Sequence, residues 1–184
     1  TWYDKTLDNF RFFPKLFQGI SHWKRLQGAE EFLNEYLLAA SNLKEKLQMP
    51  FLQMPDNFAP KDIDRLEPFF KLFPKDVSLA VEFRHTDWYN DHVVASELYA
   101  ILESFNIANI ITDTAGRRDL LHMRITSDTA FIRYNGANHE SDYTRLDEWV
   151  IRLKEWVDEG LQKYLFFCAS KYREGIAAPF SLFY

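Results

Sequence analysis

The sequence has a single cysteine, no long apolar run and no block of like charge. Because Cys168 has no partner for a disulfide inside the chain, the cysteine usage favours a reducing compartment. Without a run of about 18 apolar residues, we expect no membrane-spanning helix, and no signal-peptide pattern is present. The net charge of −5 argues against a general nucleic-acid-binding protein, which normally presents a basic face.

The sequence does contain a large apolar fraction. Of its 184 residues, 47% are hydrophobic and 17 are phenylalanine, which excludes a disordered chain and indicates a packed interior. The length suits one domain, so we expect residues 1–184 to form a single domain. The chain begins with Thr1, and the following Trp2 and Tyr3 resemble the end of an earlier element. We therefore expect its natural start to be missing.

Short apolar runs alternate with longer segments of helical period. The runs that predict strands are Phe10–Phe13, Phe51–Met54, Val77–Phe83, Ala108–Thr112, Ala130–Tyr134 and Tyr164–Cys168. The segments that predict helices are Ala29–Leu47, Asp62–Phe73, Val93–Phe105 and Thr144–Glu159. Strands that alternate with helices in this way predict a parallel sheet with right-handed crossovers.

The strand spacing favours one closed barrel. One strand recurs about every 30 residues, and a complete (β/α)8 barrel takes about 250 residues. We therefore predict an α/β fold of the TIM-barrel type that lacks its first two strands. An open doubly wound sheet would also hold six strands, but the Gly-rich phosphate loop that usually follows its first strand is absent.

The last predicted helix has the clearest pattern. Its apolar residues recur at spacings of three and four and predict one buried face, formed by Leu146, Trp149, Val150, Leu153, Trp156 and Val157. Thr144 and Asp147 have the spacing of a capping box, and Gly160 is a natural helix stop.

Polar side chains stand at the carboxyl ends of the predicted strands, where barrel enzymes hold their catalytic residues. In the run Val77–His85, side-chain alternation places Glu82 and Arg84 inside the barrel together. Burying such charges costs several kcal/mol each unless they are paired. The other strand ends supply Lys15, Gln53, Asp113, Arg133 and Asn135. We predict a site at the barrel mouth, and the alternative is an ion-pair network that only closes the barrel.

Loop residues add weaker candidates. His22 and His85 follow predicted strands and could carry protons, and Trp88 could form an aromatic wall of the site or pack in the core. Arg117 and Arg118 could hold a phosphate or form a solvated pair. The remaining histidines, His92, His122 and His139, lack paired ligand spacing, so the sequence predicts no metal site and identifies no cofactor.

Several of these runs together resemble one family. They are Phe12–Lys15 with Ile20–His22, Phe51–Pro55, Glu82–His85 with Trp88, Asp113–Arg118 and Phe131–Gly136. In order and spacing they resemble the YecE-like family, named domain of unknown function 72, from about Asn9 to Ala169. The resemblance implies a TIM barrel in a bacterial, cytoplasmic protein whose relatives begin with two further strands. It implies no activity.

Three functions compete on these grounds. The leading prediction is an enzyme, or relict enzyme, that binds a small anionic or phosphorylated ligand through Lys15, Arg84 and Arg133. Glu82 or Asp113 would act as general base, with a histidine as second proton carrier. The second is a nucleic-acid-binding protein resembling barrel endonucleases that act on damaged DNA. The third is a non-catalytic interaction protein that uses an aromatic surface. The oligomeric state stays open.

Overall fold

The computed structural model describes residues 1–169 and 180–183, with side chains described as far as Cys168. Its strands are β1 (Phe51–Gln53), β2 (Ala80–Glu82), β3 (Ala108–Asn109), β4 (Ile111–Thr114), β5 (Thr129–Asn135), β6 (Lys163–Ala169) and β7 (Phe180–Phe183). Its α-helices are α1 (Glu30–Ser41), α2 (Leu66–Leu72), α3 (Asp87–Asn90), α4 (His92–Ser104) and α5 (Ser141–Asp158). The contacts divide the chain into two compact units, Thr1–Ile107 and Ala108–Tyr184.

The first unit is built on short parallel pairings. Strand β1 pairs with β2 in parallel, so that Gln53 lies beside Glu82. Upstream of β1, single parallel bridges join Phe12 to Leu47 and Lys15 to Phe51. Leucine, phenylalanine and tryptophan side chains from the strands and helices fill one apolar core.

Local capping fixes helix α4 in this unit. The Asp91 side chain accepts hydrogen bonds from the backbone N–H groups of Val93, at 2.7 Å, and Val94, at 3.3 Å. An aspartate in this position satisfies amides that have no partner within the helix. The helix buries Ala95, Leu98 and Leu102 on one face.

The second unit has a sheet in the order β4-β5-β6-β7. Strands β4, β5 and β6 run parallel, and β7 runs antiparallel to β6. One sheet face packs with helix α5 around Ile111, Ile132, Tyr134, Trp149 and Phe166. Ile132 and Tyr134 are two apart on β5, as the alternation of side chains requires.

The predicted eight-stranded barrel is wrong, although the α/β class is right. The described strands are divided between two sheets and do not close into a barrel, and β7 is antiparallel to its neighbour. Alternating strands and helices predict parallel pairing, but closure also requires matched strand length and stagger. Strands β1 and β2 have only three residues each. A predicted strand at Phe10–Phe13 is likewise reduced to an isolated bridge at Phe12.

Helix α5 also differs from its predicted pattern. It begins at Ser141, so Thr144 and Asp147 lie inside it and cannot form the predicted capping box. Trp149 and Trp156 are buried, whereas the predicted core residues Val150 and Val157 are exposed. The predicted stop is right: the helix ends at Asp158, and Gly160 adopts a φ of +106°, a conformation that suits glycine.

No helix in the described part of the chain is long and apolar enough to cross a membrane.

Candidate functional site

Three predicted site residues form one hydrogen-bonded chain in the first unit. The Lys15 Nζ donates to Gln53 Oε1 at 2.6 Å, and Gln53 Nε2 donates to Glu82 Oε2 at 2.9 Å. The amide group of Gln53 thus accepts from a cation on one side and donates to an anion on the other. We call these three residues the Lys15–Gln53–Glu82 relay.

The backbone pairing explains why these side chains meet. Gln53 ends β1 and Glu82 ends β2, and the two are Cα partners in the parallel register. Lys15 comes from the parallel bridge to Phe51, two residues before Gln53. Carboxyl ends of neighbouring parallel segments lie at one edge, as in other α/β proteins whose ligands bind there. Along the relay, exposure falls from an exposed Lys15 through a half-buried Gln53 to Glu82, which is only 2% exposed.

Arg84 and His22 add charge and a proton acceptor near the relay. Arg84 follows β2, and its Nε lies 3.0 Å from Asp56 Oδ1. His22 lies in a π-helical turn, Gly19–Trp23, with its Nδ1 2.7 Å from the Ser21 hydroxyl. Burial, and after it the positive charges of Lys15 and Arg84, lower the pKa of His22 below its ordinary 6.5. His22 is therefore mainly neutral at pH 7 and can accept a proton.

The other two candidates of the first unit have local partners. His85 Nδ1 accepts from the backbone N–H of Asp87 at 3.2 Å and lies 3.7 Å from its carboxylate. Trp88 is fully buried, stacks on Phe58 and donates its indole N–H to the Phe58 carbonyl at 2.7 Å. Trp88 therefore packs in the core and does not form an aromatic wall open to a ligand.

In the second unit, Asp113 is the centre of a buried ion pair. Its Oδ1 accepts from Arg145 Nη2 at 2.6 Å and its Oδ2 accepts from the Trp149 indole N–H at 2.8 Å. Arg118 Nη1 lies further away, at 3.4 Å from Oδ1. Asp113 is 1% exposed. Both of its oxygens accept from these donors, which disfavours Asp113 as a proton acceptor.

Sequence reasoning missed both main partners of Asp113. The apolar spacing places Trp149 in the buried stripe of α5 but does not indicate a partner for its indole N–H, and it does not predict a role for Arg145. The available signal was Arg145 itself, because a cation one residue before the apolar Leu146 and four before Trp149 lies on the buried side of the helix. A buried arginine at that position requires an acceptor from the sheet it packs against.

Asp142 organises the loop that follows β5. It accepts hydrogen bonds from the backbone N–H groups of Ala137 and Asn138, both at 2.9 Å, and from the Tyr134 hydroxyl at 3.1 Å. Burial opposes them, but these bonds together lower the pKa of Asp142. A Cβ at Gly136 would come within 2.5 Å of Asp142 Oδ2, so this close approach depends on glycine.

The remaining predicted ligand-binding residues of the second unit are more dispersed. Asn135 ends β5 and donates to the Thr114 hydroxyl at 2.8 Å. Arg133 is half-buried on β5, opposite Thr112 in the register. Arg117 pairs with Asp119 at 3.3 Å, and Arg118 with Asp113. Both members of the predicted arginine pair thus already have carboxylate partners.

Among residues 1–169 and 180–183, no three His, Cys, Asp or Glu side chains come together as a set that could hold a metal ion. Cys168 is half-buried, and burial followed by the charge of Asp142 raises the pKa of its thiol, which disfavours a reactive thiolate.

The sequence matches the model of a family described as protein of unknown function DUF72 over residues 1–180. It is 26% identical over 174 residues to the UPF0759 protein YecE of Escherichia coli strain K12, which covers 84% of this chain and 64% of YecE. YecE of Escherichia coli O157:H7 matches with the same values. The chain therefore spans less than two thirds of the length of these relatives.

Two solved structures of DUF72 family proteins have a similar fold. The protein from Thermotoga maritima matches with a TM-score of 0.72 at 25% identity, over 90% of this chain and 68% of that one. A protein from Enterococcus faecalis matches with a TM-score of 0.71 at 18% identity, over 95% of this chain and 76% of that one. Neither name states a ligand or an activity.

Proposed function

We propose, for a chain that belongs to the DUF72 family of proteins of unknown function, that its first unit binds a small anionic or phosphorylated ligand and acts on it by proton transfer. The observation that carries the proposal is the Lys15–Gln53–Glu82 relay at the ends of β1 and β2. The relay presents an ammonium at the surface and a carboxylate in the interior, joined by one neutral amide.

The charge around the relay suits an anion. Lys15 is exposed and Arg84 is half-buried, and after burial both lower the pKa of His22, while the charge of Asp56 acts in the opposite direction. Two cations that act on one neutral imidazole create a positive potential there, which an anionic ligand would offset. A guanidinium and an ammonium are also the side chains best suited to carboxylate and phosphate oxygens.

Proton transfer would fall to Glu82 and His22. Glu82 is a buried carboxylate held in place by a hydrogen bond, as a general base needs to be. His22 is mainly neutral at pH 7 because its pKa is lowered. Binding of an anion would raise the pKa of His22, which would then hold a proton more readily. Such a pair could remove a proton with one group and return it with the other.

Thermal unfolding with and without glycerol 3-phosphate tests the proposal, with glycerol as the neutral match. We expect glycerol 3-phosphate and inorganic phosphate to raise the melting temperature, because a ligand at about 100 times its dissociation constant adds about 2.7 kcal/mol. Lys15→Met should abolish the response. Lys71→Met is the control, since Lys71 forms only an exposed pair with Glu67 at 3.2 Å on helix α2.

NMR titration of the His22 ring protons gives a second test of the proposal, because it measures the pKa of His22. This pKa should rise in phosphate and should also rise in Lys15→Met without phosphate, because one of the two cations is gone. If Lys15→Met and Lys71→Met respond to phosphate alike, or if phosphate leaves His22 unchanged, the relay is structural and the proposal is overturned.

A further inference from the structure

A cleft in the second unit lies outside the proposed anion site. It has a volume of about 280 Å³ and is bordered by helix α5 and by the segment that contains Leu121 and Met123. That volume is close to the lower end of the range for small-molecule sites, about 300 Å³. All of its lining residues come from the second unit.

The walls of the cleft are largely apolar. Met123 is 46% exposed and Ile151 is 60% exposed, although both line the same cleft. Leu121 and the buried Trp149 complete the apolar surface. A ligand that covers these side chains removes apolar surface from water, which lowers the free energy of the complex. The unbranched side chain of methionine also adapts readily to ligands of different shape.

The cleft is lined by three carboxylates and two guanidinium groups. Arg152 lies 2.9 Å from Glu155, and Asp113 is shared between Arg145, at 2.6 Å, and Arg118, at 3.4 Å. Glu148 also lines the cleft, but forms no hydrogen bond or ion pair with any other described residue. The Glu148 carboxylate therefore lies beside the apolar walls without a cation paired to it among the described residues.

We propose that this cleft binds a small amine with an apolar body. The ammonium pairs with Glu148, and the aliphatic or aromatic body covers Leu121, Met123 and Ile151. An anionic ligand is disfavoured because its charge would lie beside the Glu148 carboxylate and would compete with Glu155 for Arg152. The inference is independent of the anion site, since it uses none of the same residues.

Three probes with one apolar body separate charge from shape: phenethylamine, 2-phenylethanol and 3-phenylpropionate. Isothermal titration of the full chain should give the tightest binding for phenethylamine. We expect it to bind about twofold to fivefold more tightly than 2-phenylethanol, the range for one exposed ion pair. In Glu148→Gln this preference should disappear, while the affinity for 2-phenylethanol stays the same.

Asp147→Asn is the matched control, because it removes one exposed carboxylate from the adjacent position of α5 without touching the cleft. It should keep the preference for the amine. Met123→Ala should weaken phenethylamine and 2-phenylethanol alike. The proposal is overturned if 3-phenylpropionate binds best, if Glu148→Gln keeps the preference, or if no probe binds at millimolar concentration.

Discussion

Glu82 and Asp113 are both almost fully buried carboxylates at the carboxyl ends of parallel strands, yet their surroundings differ. Asp113 contacts the Arg145 guanidinium directly, at 2.6 Å. Glu82 contacts the neutral amide of Gln53, and the ammonium of Lys15 lies beyond that amide. The Asp113 pair joins helix α5 to its sheet, whereas the Gln53 amide joins the buried Glu82 to a lysine at the surface. Burial of an acid is therefore a weak guide to its function, and the partner is the better one.

Removing the charge of Asp113 should give the largest effect. In Asp113→Asn the side chain keeps its shape, but Arg145, 13% exposed, loses its closest counter-ion. Leaving one partner of a buried pair uncompensated costs about 3 to 5 kcal/mol. Urea denaturation should show this loss in the free energy of unfolding. The control Asp119→Asn removes an exposed partner of Arg117 and should cost less than about 1 kcal/mol. A similar loss in both variants would contradict the assignment.

Acid should give the next largest effect, through a histidine of the second unit. His122 is 7% exposed, and burial lowers its pKa from 6.5 to about 4. Below about pH 6.5, His122 binds a proton in the unfolded chain but stays neutral in the folded chain. The free energy of unfolding therefore falls as the pH drops towards 4. The total loss is about 3 kcal/mol. His22 in the first unit, being only half-buried, should contribute less.

Urea denaturation at pH 7 and at pH 4.5 checks this prediction. His122→Gln should flatten the dependence, because glutamine does not titrate. His139→Gln should keep it, since His139 is exposed. Equal slopes in the wild type and in His122→Gln would show that other groups cause the loss.

Removing the charge of Glu82 should give the smallest effect on stability. A glutamine at this position has the same shape and keeps an acceptor for the Gln53 amide. We expect Glu82→Gln to change the free energy of unfolding by about 1 kcal/mol or less. The same variant should lose the protonation chemistry proposed for the first unit. A loss as large as that of Asp113→Asn would remove the contrast between the two carboxylates.

The sequence predicted individual elements better than their assembly. The apolar runs at Ala130–Tyr134 and Tyr164–Cys168 correspond to β5 and β6 within one residue at each end. Such runs are buried on both faces and leave few alternatives. Barrel closure could not be predicted, because it depends on strand stagger and on pairings between distant residues, which leave no periodic pattern in the sequence.

The candidate site shows the same division. Alternation along Val77–Phe83 placed Glu82 at an inward-facing strand end, and the parallel register brings it to Gln53. The two partners of Asp113 that the sequence pattern did not predict come from a helix. Arg145 and Trp149 both lie on α5. Apolar spacing indicates which side chains of a helix are buried, but not which polar atoms they place against the sheet.

The contact between Gly136 and Asp142 limits which sequences can share this loop. A Cβ at position 136 would come within 2.5 Å of the Asp142 carboxylate, which accepts hydrogen bonds from Ala137 and Asn138. A side chain at position 136 would therefore push the carboxylate away from the amides that it holds, so Asp142 restricts position 136 to glycine. In the divergence of such proteins, we expect glycine and aspartate at these positions to be inherited or replaced together.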